Sequence, residues 1–193
     1  YQELKRLYSE YSSISDNPHF QILSDRFDEL SATLDLLSRH KLRQPASERA
    51  LDTTLFRKML LKRVIAALQS ANNYLSFMRH MLASLPQPDS SVLSQLFIEK
   101  TSEIFDRSHS YRLCYKLRNV FDHISGVPLR VVYESVDGKP PRLALIALRD
   151  ELLDARSAEW GAIVKRDIQN GPETIQIDVA LAEYYASLVE LNN

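Results

Sequence analysis

The chain has 193 residues, a formal net charge of −1 at pH 7, and a charged-residue content of 25%. Because generic binding of duplex DNA or anionic membranes needs a strong excess of positive charge, this balance argues against both. Cys114 is the only cysteine, which excludes disulfide frameworks and cysteine zinc sites within one chain. With only four glycines and eight prolines, the composition favours a mainly α-helical protein.

The first half of the chain reads as helices separated by breaks. Residues 1–11 predict a short helix that ends before Pro18. Apolar residues then recur every three or four positions between His19 and His40, which is one face of an amphipathic helix. The stretch "LRQPAS" ends that helix. A long periodic segment over residues 47–85 predicts a further helix at the centre of a bundle.

The second half adds β structure to the helical pattern. After "PQPDSS", residues 91–124 predict either one long helix or two helices with a joint near "DRSHS". Apolar, β-branched stretches on either side of an Asp-Gly turn then predict a β-hairpin over about residues 128–148. Two helical segments separated by "NGPET" complete the chain. We therefore expect a bundle of about six helices with one hairpin insertion.

Domain organisation and compartment follow from the same features. A chain of this length predicts one domain spanning residues 1–193. It lacks an initiator methionine, so native N-terminal residues are expected to precede it. No apolar run reaches membrane-spanning length and no signal peptide is recognisable, which predicts a cytoplasmic protein without a membrane partner.

The common catalytic and cofactor signatures are absent from the sequence. There is no glycine-rich phosphate loop, dinucleotide fingerprint, His-Glu-x-x-His motif or nucleophile elbow. The five histidines include no pair at the i, i+4 spacing that makes a metal site on a helix. We therefore expect neither a cofactor nor a metal ion.

The stretch "YRLCYKLRNVFDHISGVP", residues 111–128, concentrates polar groups near the end of a predicted helix. At about 100° per residue, its core stripe consists of Leu113, Leu117, Val120 and Ile124. A second stripe consists of Arg112, Lys116, Asn119 and His123. Arg118 lies about 140° from His123 while the helix lasts. It belongs instead with the stripe of Tyr111, Tyr115 and Asp122.

Two interpretations of these residues compete. In the first, Arg112, Lys116 and Asn119 form a solvated face, Arg118 pairs with Asp122, and His123 interacts with the helix C-terminus; none of this needs a function. In the second, the same polar groups form a site.

The second interpretation rests on a resemblance. "LRNVFDHISGVP" resembles the signature of the HEPN superfamily, in which an Arg, usually a polar residue, and a His follow one another near the end of a bundle helix. Arg118, Asn119 and His123 match these positions. The resemblance implies a metal-independent endoribonuclease, usually dimeric, with the motif residues of both protomers lining a cleft. It also implies a toxin-antitoxin or phage-defence setting, with an antitoxin or regulatory protein as a further partner.

The resemblance assigns roles to the motif residues. His123 serves as acid or base, and Arg118 stabilises the charge that develops on the phosphorane. Asn119 orients the phosphate or the imidazole, while Arg112 and Lys116 hold the RNA backbone. Arg118 and His123 meet either if the helix unwinds by Phe121 or Asp122, or if a homodimer joins one protomer's Arg to its partner's His. The alternative function is a non-catalytic module that binds a protein or a nucleotide.

Overall fold

The computed structural model describes residues 17–43, 53–123, 128–134, 142–155 and 160–192; the side chains of residues 41–43, 53, 122 and 123 lie outside this description. The described ranges contain seven helices and three strands, which confirms the mainly α class with a β-hairpin insertion. The predicted helix over residues 1–11 lies outside them. The elements in chain order are α1 (Pro18–Arg43), α2 (Thr53–Ala83), α3 (Asp89–Arg107), α4 (His109–His123), β1 (Leu129–Glu134), β2 (Arg142–Leu148), α5 (Arg149–Asp154), α6 (Gly161–Asn170), β3 (Thr174–Gln176) and α7 (Ile177–Asn192).

Helices α1 and α2 form an antiparallel pair. Near one end of the pair the ring of His19 stacks on Phe77 with centroids 4.2 Å apart, and near the other end His40 meets Phe56 edge-on. The predicted apolar face of α1 is buried against α2 and the rest of the core. Its buried members are Leu23, Phe27, Leu30 and Leu37. The segment predicted over residues 47–85 is therefore a helix as expected, described from Thr53.

The joint between α3 and α4 falls at Ser108, which decides between the one-helix and two-helix alternatives. Ser108 is extended, with φ −109° and ψ 110°. Its Oγ accepts a hydrogen bond from the backbone N–H of Tyr111 at 3.1 Å. This is the bond that a serine N-cap makes to the third residue of a helix, so the sequence starts a new helix here.

A small antiparallel sheet in the order β1-β2-β3 follows the motif helix. In the hairpin, Leu129 lies opposite Ala147 and Glu134 opposite Arg142. The third strand, Thr174–Gln176, was not predicted, because a run of three residues beside "NGPET" is too short to show alternation. The sheet packs against α1, α2 and α7.

The sequence predicts one helix directly after the hairpin. The structure has two helices there, α5 and α6. Trp160 stands just before α6, fully buried, and its Nε1 donates a hydrogen bond to the backbone oxygen of Leu152 at 2.8 Å. Trp160 is therefore a packing residue of the core. This anchored ring fixes where α6 begins. None of the helices that the structure describes has an apolar stretch long enough to cross a bilayer.

Candidate functional site

Helix α4, which carries the motif, is enclosed by other helices. It contacts α2, α3, α6 and α7. No residue from His109 to Phe121 is exposed; each is buried or half-buried. The predicted core stripe is confirmed for its described members, since Leu113, Leu117 and Val120 have no accessible surface. The described members of the second stripe, Arg112, Lys116 and Asn119, are half-buried.

Arg118 and Asn119 are neighbours in space as well as in sequence. The Nη1 of Arg118 donates a hydrogen bond to Oδ1 of Asn119 at 3.2 Å, and both residues are half-buried. The positive charge of Arg118 also acts on the buried phenol of Tyr184 on α7. Burial raises the pKa of Tyr184 well above its usual value, and Arg118 opposes that rise. The guanidinium therefore lies on the side of α4 that faces α7.

The helix continues through His123, so it does not unwind at Phe121 or Asp122. Positions 118 and 123 consequently stay about 140° apart around the helix axis. The side chains of Asp122 and His123 lie outside the described residues, and so does the expected ion pair between Arg118 and Asp122. Within one chain, the backbone does not turn the His123 position toward Arg118.

The guanidinium of Arg112 donates three hydrogen bonds within the fold. Its Nε donates to Oδ2 of Asp167 on α6 at 2.7 Å. Its Nη1 donates to the backbone oxygens of Phe105 and Asp106, both at 2.7 Å. These carbonyls belong to the last turn of α3 and have no partner within their own helix, so Arg112 satisfies them. With side-chain exposures of 12% for Arg112 and 17% for Asp167, this ion pair is largely shielded from water.

The side chain of Lys116 lies next to Gly161, the first residue of α6. Its Cε and Nζ are each 3.9 Å from the point where a Cβ on Gly161 would stand. Gly161 opens α6 with φ +70°, a conformation that residues with a Cβ adopt only under strain. The predicted phosphate-holding residues Arg112 and Lys116 therefore both face α6. The structure does not bring them together with Arg118.

Sequence reasoning missed the residues that complete the other face of α4. Tyr111 packs edge-on against Tyr184 with centroids 5.1 Å apart. Burial raises the pKa of Tyr111 to about 12, although the charge of Arg79 on α2 opposes the rise. The spacing of Tyr111, Tyr115 and Arg118 shows this face in the sequence. No local pattern links Arg79 to it, since the two helices meet only through folding.

Cys114 has no accessible surface, and burial raises the pKa of its thiol, so it stays protonated. Cys114 is therefore a packing residue of the core. Among the described residues, no three His, Cys, Asp or Glu side chains are grouped so that they could hold a metal ion.

Comparisons with protein-family models, with curated proteins and with solved structures found no match to the chain.

Proposed function

We propose that the protein is a metal-independent endoribonuclease of the HEPN type. The observation that supports this best is the hydrogen-bonded pair of Arg118 and Asn119 in the last turns of a helix that continues to His123. These residue types in this order are the superfamily's signature. The toxin-antitoxin or phage-defence setting, and any antitoxin partner, come from the resemblance alone.

The proposed chemistry needs a titratable group and a fixed positive charge. A base removes the proton of a ribose 2′-OH, and the 2′-oxygen attacks the adjacent phosphorus. The bond from phosphorus to the 5′-oxygen breaks as that oxygen takes up a proton. His123 serves in proton transfer, a role that imidazole groups commonly have in catalysis. Arg118 stabilises the negative charge on the phosphorane oxygens with its fork of donors.

A homodimer reconciles this chemistry with the helix geometry. Because positions 118 and 123 lie on different sides of α4, one Arg118 would act with His123 of the partner subunit. Every residue of α4 up to Phe121 is buried or half-buried within its own chain. A contact between the two protomers would therefore involve the C-terminal end of α4 and not its full length. A two-fold axis there would create two equal sites.

The enclosure of α4 also favours a second candidate function. A motif helix that packs against four other helices suits a non-catalytic module. In such a module Arg118 and Asn119 would hold the bundle together and a partner would bind elsewhere. In that case the protein would not cleave RNA, and replacing the motif residues would lower only its stability.

Cleavage of mixed RNA in EDTA separates the two candidates. We expect the purified protein to produce 2′,3′-cyclic phosphate ends, and Arg118→Ala or His123→Ala to lower the rate at least about 100-fold. The matched controls Arg166→Ala and His80→Ala remove exposed side chains of the same types and should cleave like the original chain. If the motif variants cleave as fast as these controls, the endoribonuclease proposal is wrong.

A further inference from the structure

A cavity of about 390 Å³ opens between α2, α3 and α4. This volume is in the range of small-ligand sites. Its lining combines a cation, aromatic rings and hydroxyl groups, contributed by Arg79, Thr101, Ser102, Phe105, Tyr111 and Tyr115. The proposed cleavage chemistry uses none of these residues.

The cavity lies on the same face of α4 as Arg118. Tyr115 precedes Arg118 by three positions and follows Tyr111 by four, and residues at these spacings are neighbours on one side of a helix. The rings of Tyr111 and Tyr115 are nearly parallel, with centroids 6.5 Å apart. The cavity therefore begins about one helical turn from the arginine of the motif.

One wall of the cavity is aromatic and fixed in place. The half-buried rings of Phe105 and Tyr115 meet at 88° with centroids 6.4 Å apart. Arg112 holds this wall, because its guanidinium lies over the Phe105 ring at 6.0 Å and binds the Phe105 carbonyl. Partly exposed aromatic rings on a rigid support suit stacking with a nucleic-acid base, since every base has a π face.

The opposite wall carries the exposed Arg79. Arg79 takes part in none of the ion pairs found within the described part of the chain, although its charge acts on Tyr111. A guanidinium in this position is available to bind a phosphate through two parallel hydrogen bonds. The exposed Asp106 also lines the cavity. Its carboxylate disfavours a second phosphate there and can accept hydrogen bonds from a base.

We infer that this cavity binds one unpaired nucleotide of the RNA substrate, with its phosphate on Arg79 and its base against Tyr115 and Phe105. The inference rests on the proposed function for the identity of the ligand as RNA. It adds a subsite beside Arg118 that admits a nucleotide only when the base is free to stack. The enzyme would accordingly prefer single-stranded RNA to a duplex.

Binding of a short 2′-fluoro RNA oligonucleotide tests the subsite without cleavage, because this probe has no 2′-OH. We expect Arg79→Ala and Tyr115→Leu each to raise Kd about tenfold in fluorescence anisotropy. Tyr115→Phe keeps the ring and should bind like the original chain. Arg79→Ala should also lower the slope of log Kd against log salt by about 0.7, the effect of losing one phosphate contact. Thermal melting checks that each variant is folded.

Two controls match these changes in residue type. Arg39→Ala removes an exposed arginine of α1, beside the opposite end of the α1–α2 pair, and Tyr133→Leu removes an exposed tyrosine of β1. Both should bind the probe as the original chain does.

The outcomes separate this inference from the proposed function. Weakened probe binding in folded Arg79→Ala and Tyr115→Leu, without any cleavage by the original chain, supports the subsite and overturns the endoribonuclease. Cleavage that depends on Arg118 and His123, with the same Kd in Arg79→Ala as in Arg39→Ala, overturns the subsite alone. Failure of the original chain to bind the probe also overturns the subsite.

Discussion

The two halves of α4 carry similar polar residues in different surroundings. In the first half, Arg112 has its charge balanced by Asp167 and its remaining donors on α3 carbonyls. In the second half, Arg118 shares a hydrogen bond with Asn119, next to the end of the helix. Arg112 is therefore part of the fold, held by neighbours from α3 and α6, whereas the proposed function assigns Arg118 to a site.

The largest expected effect on stability concerns Arg112, in the first half of α4. Arg112→Ala should lower the free energy of unfolding by about 3 kcal/mol, because it removes the shielded ion pair with Asp167 and leaves two carbonyls without a donor. Urea unfolding measures this change. Arg166→Ala, one position from Asp167 on the exposed side of α6, should change stability by less than about 0.5 kcal/mol. Equal stabilities for the two variants would show that Arg112 does not hold α3 and α6 together.

A somewhat smaller effect concerns Tyr111 at high pH. Its pKa of about 12 exceeds the usual value of 10, so above pH 10 the unfolded chain loses this proton first. The stability that Tyr111 contributes is complete below pH 10 and is lost as the pH rises toward 12, by about 2 kcal/mol.

Replacing the phenol tests this titration. Tyr111→Phe should lose less stability over that pH range than the original chain, whereas Tyr133→Phe, an exposed control, should follow the original curve. Unfolding measured at several alkaline pH values compares the three. Identical pH dependence in all three would show that burial of Tyr111 does not perturb its titration.

The smallest effect is expected at Lys116. Its ammonium lies near the start of α6, where a helix dipole disfavours positive charge. Lys116→Met keeps the length of the side chain and should change the free energy of unfolding by less than about 0.5 kcal/mol. It should also leave RNA cleavage unchanged, because Lys116 faces α6 and not Arg118. A large loss of cleavage with normal stability would restore Lys116 as a substrate-binding residue.

Periodicity predicted most of the fold because it reports on burial. The apolar positions of α1 and the core stripe of α4 were visible at their three- and four-residue spacings, and the Asp-Gly turn located the hairpin. Strand β3 was missed because three residues cannot show a pattern. The break before Trp160 was missed because the residues around it are compatible with a helix.

Only those residues of the candidate site that lie close together in the sequence could be predicted. The order of Arg118, Asn119 and His123 is visible in one turn and a half of helix, and so is the position of Tyr115 beside Arg118. The partners of Arg112 are not, because Asp167 lies far along the chain and reaches α4 only when α6 docks. Arg79 is missed for the same reason. Tertiary contacts, which sequence spacing does not encode, bind Arg112 to α3 and α6.

Mixing two inactive variants tests the central claim most directly. A dimer of an Arg118→Ala protomer and a His123→Ala protomer retains one site with both groups intact, provided that Arg118 acts with His123 of the partner subunit. Random exchange in an equal mixture should then restore about one quarter of the original cleavage activity, since about half of the dimers are mixed and each has one intact site out of two. A mixture that stays as inactive as either variant alone, after subunit exchange has been verified, would contradict a shared site.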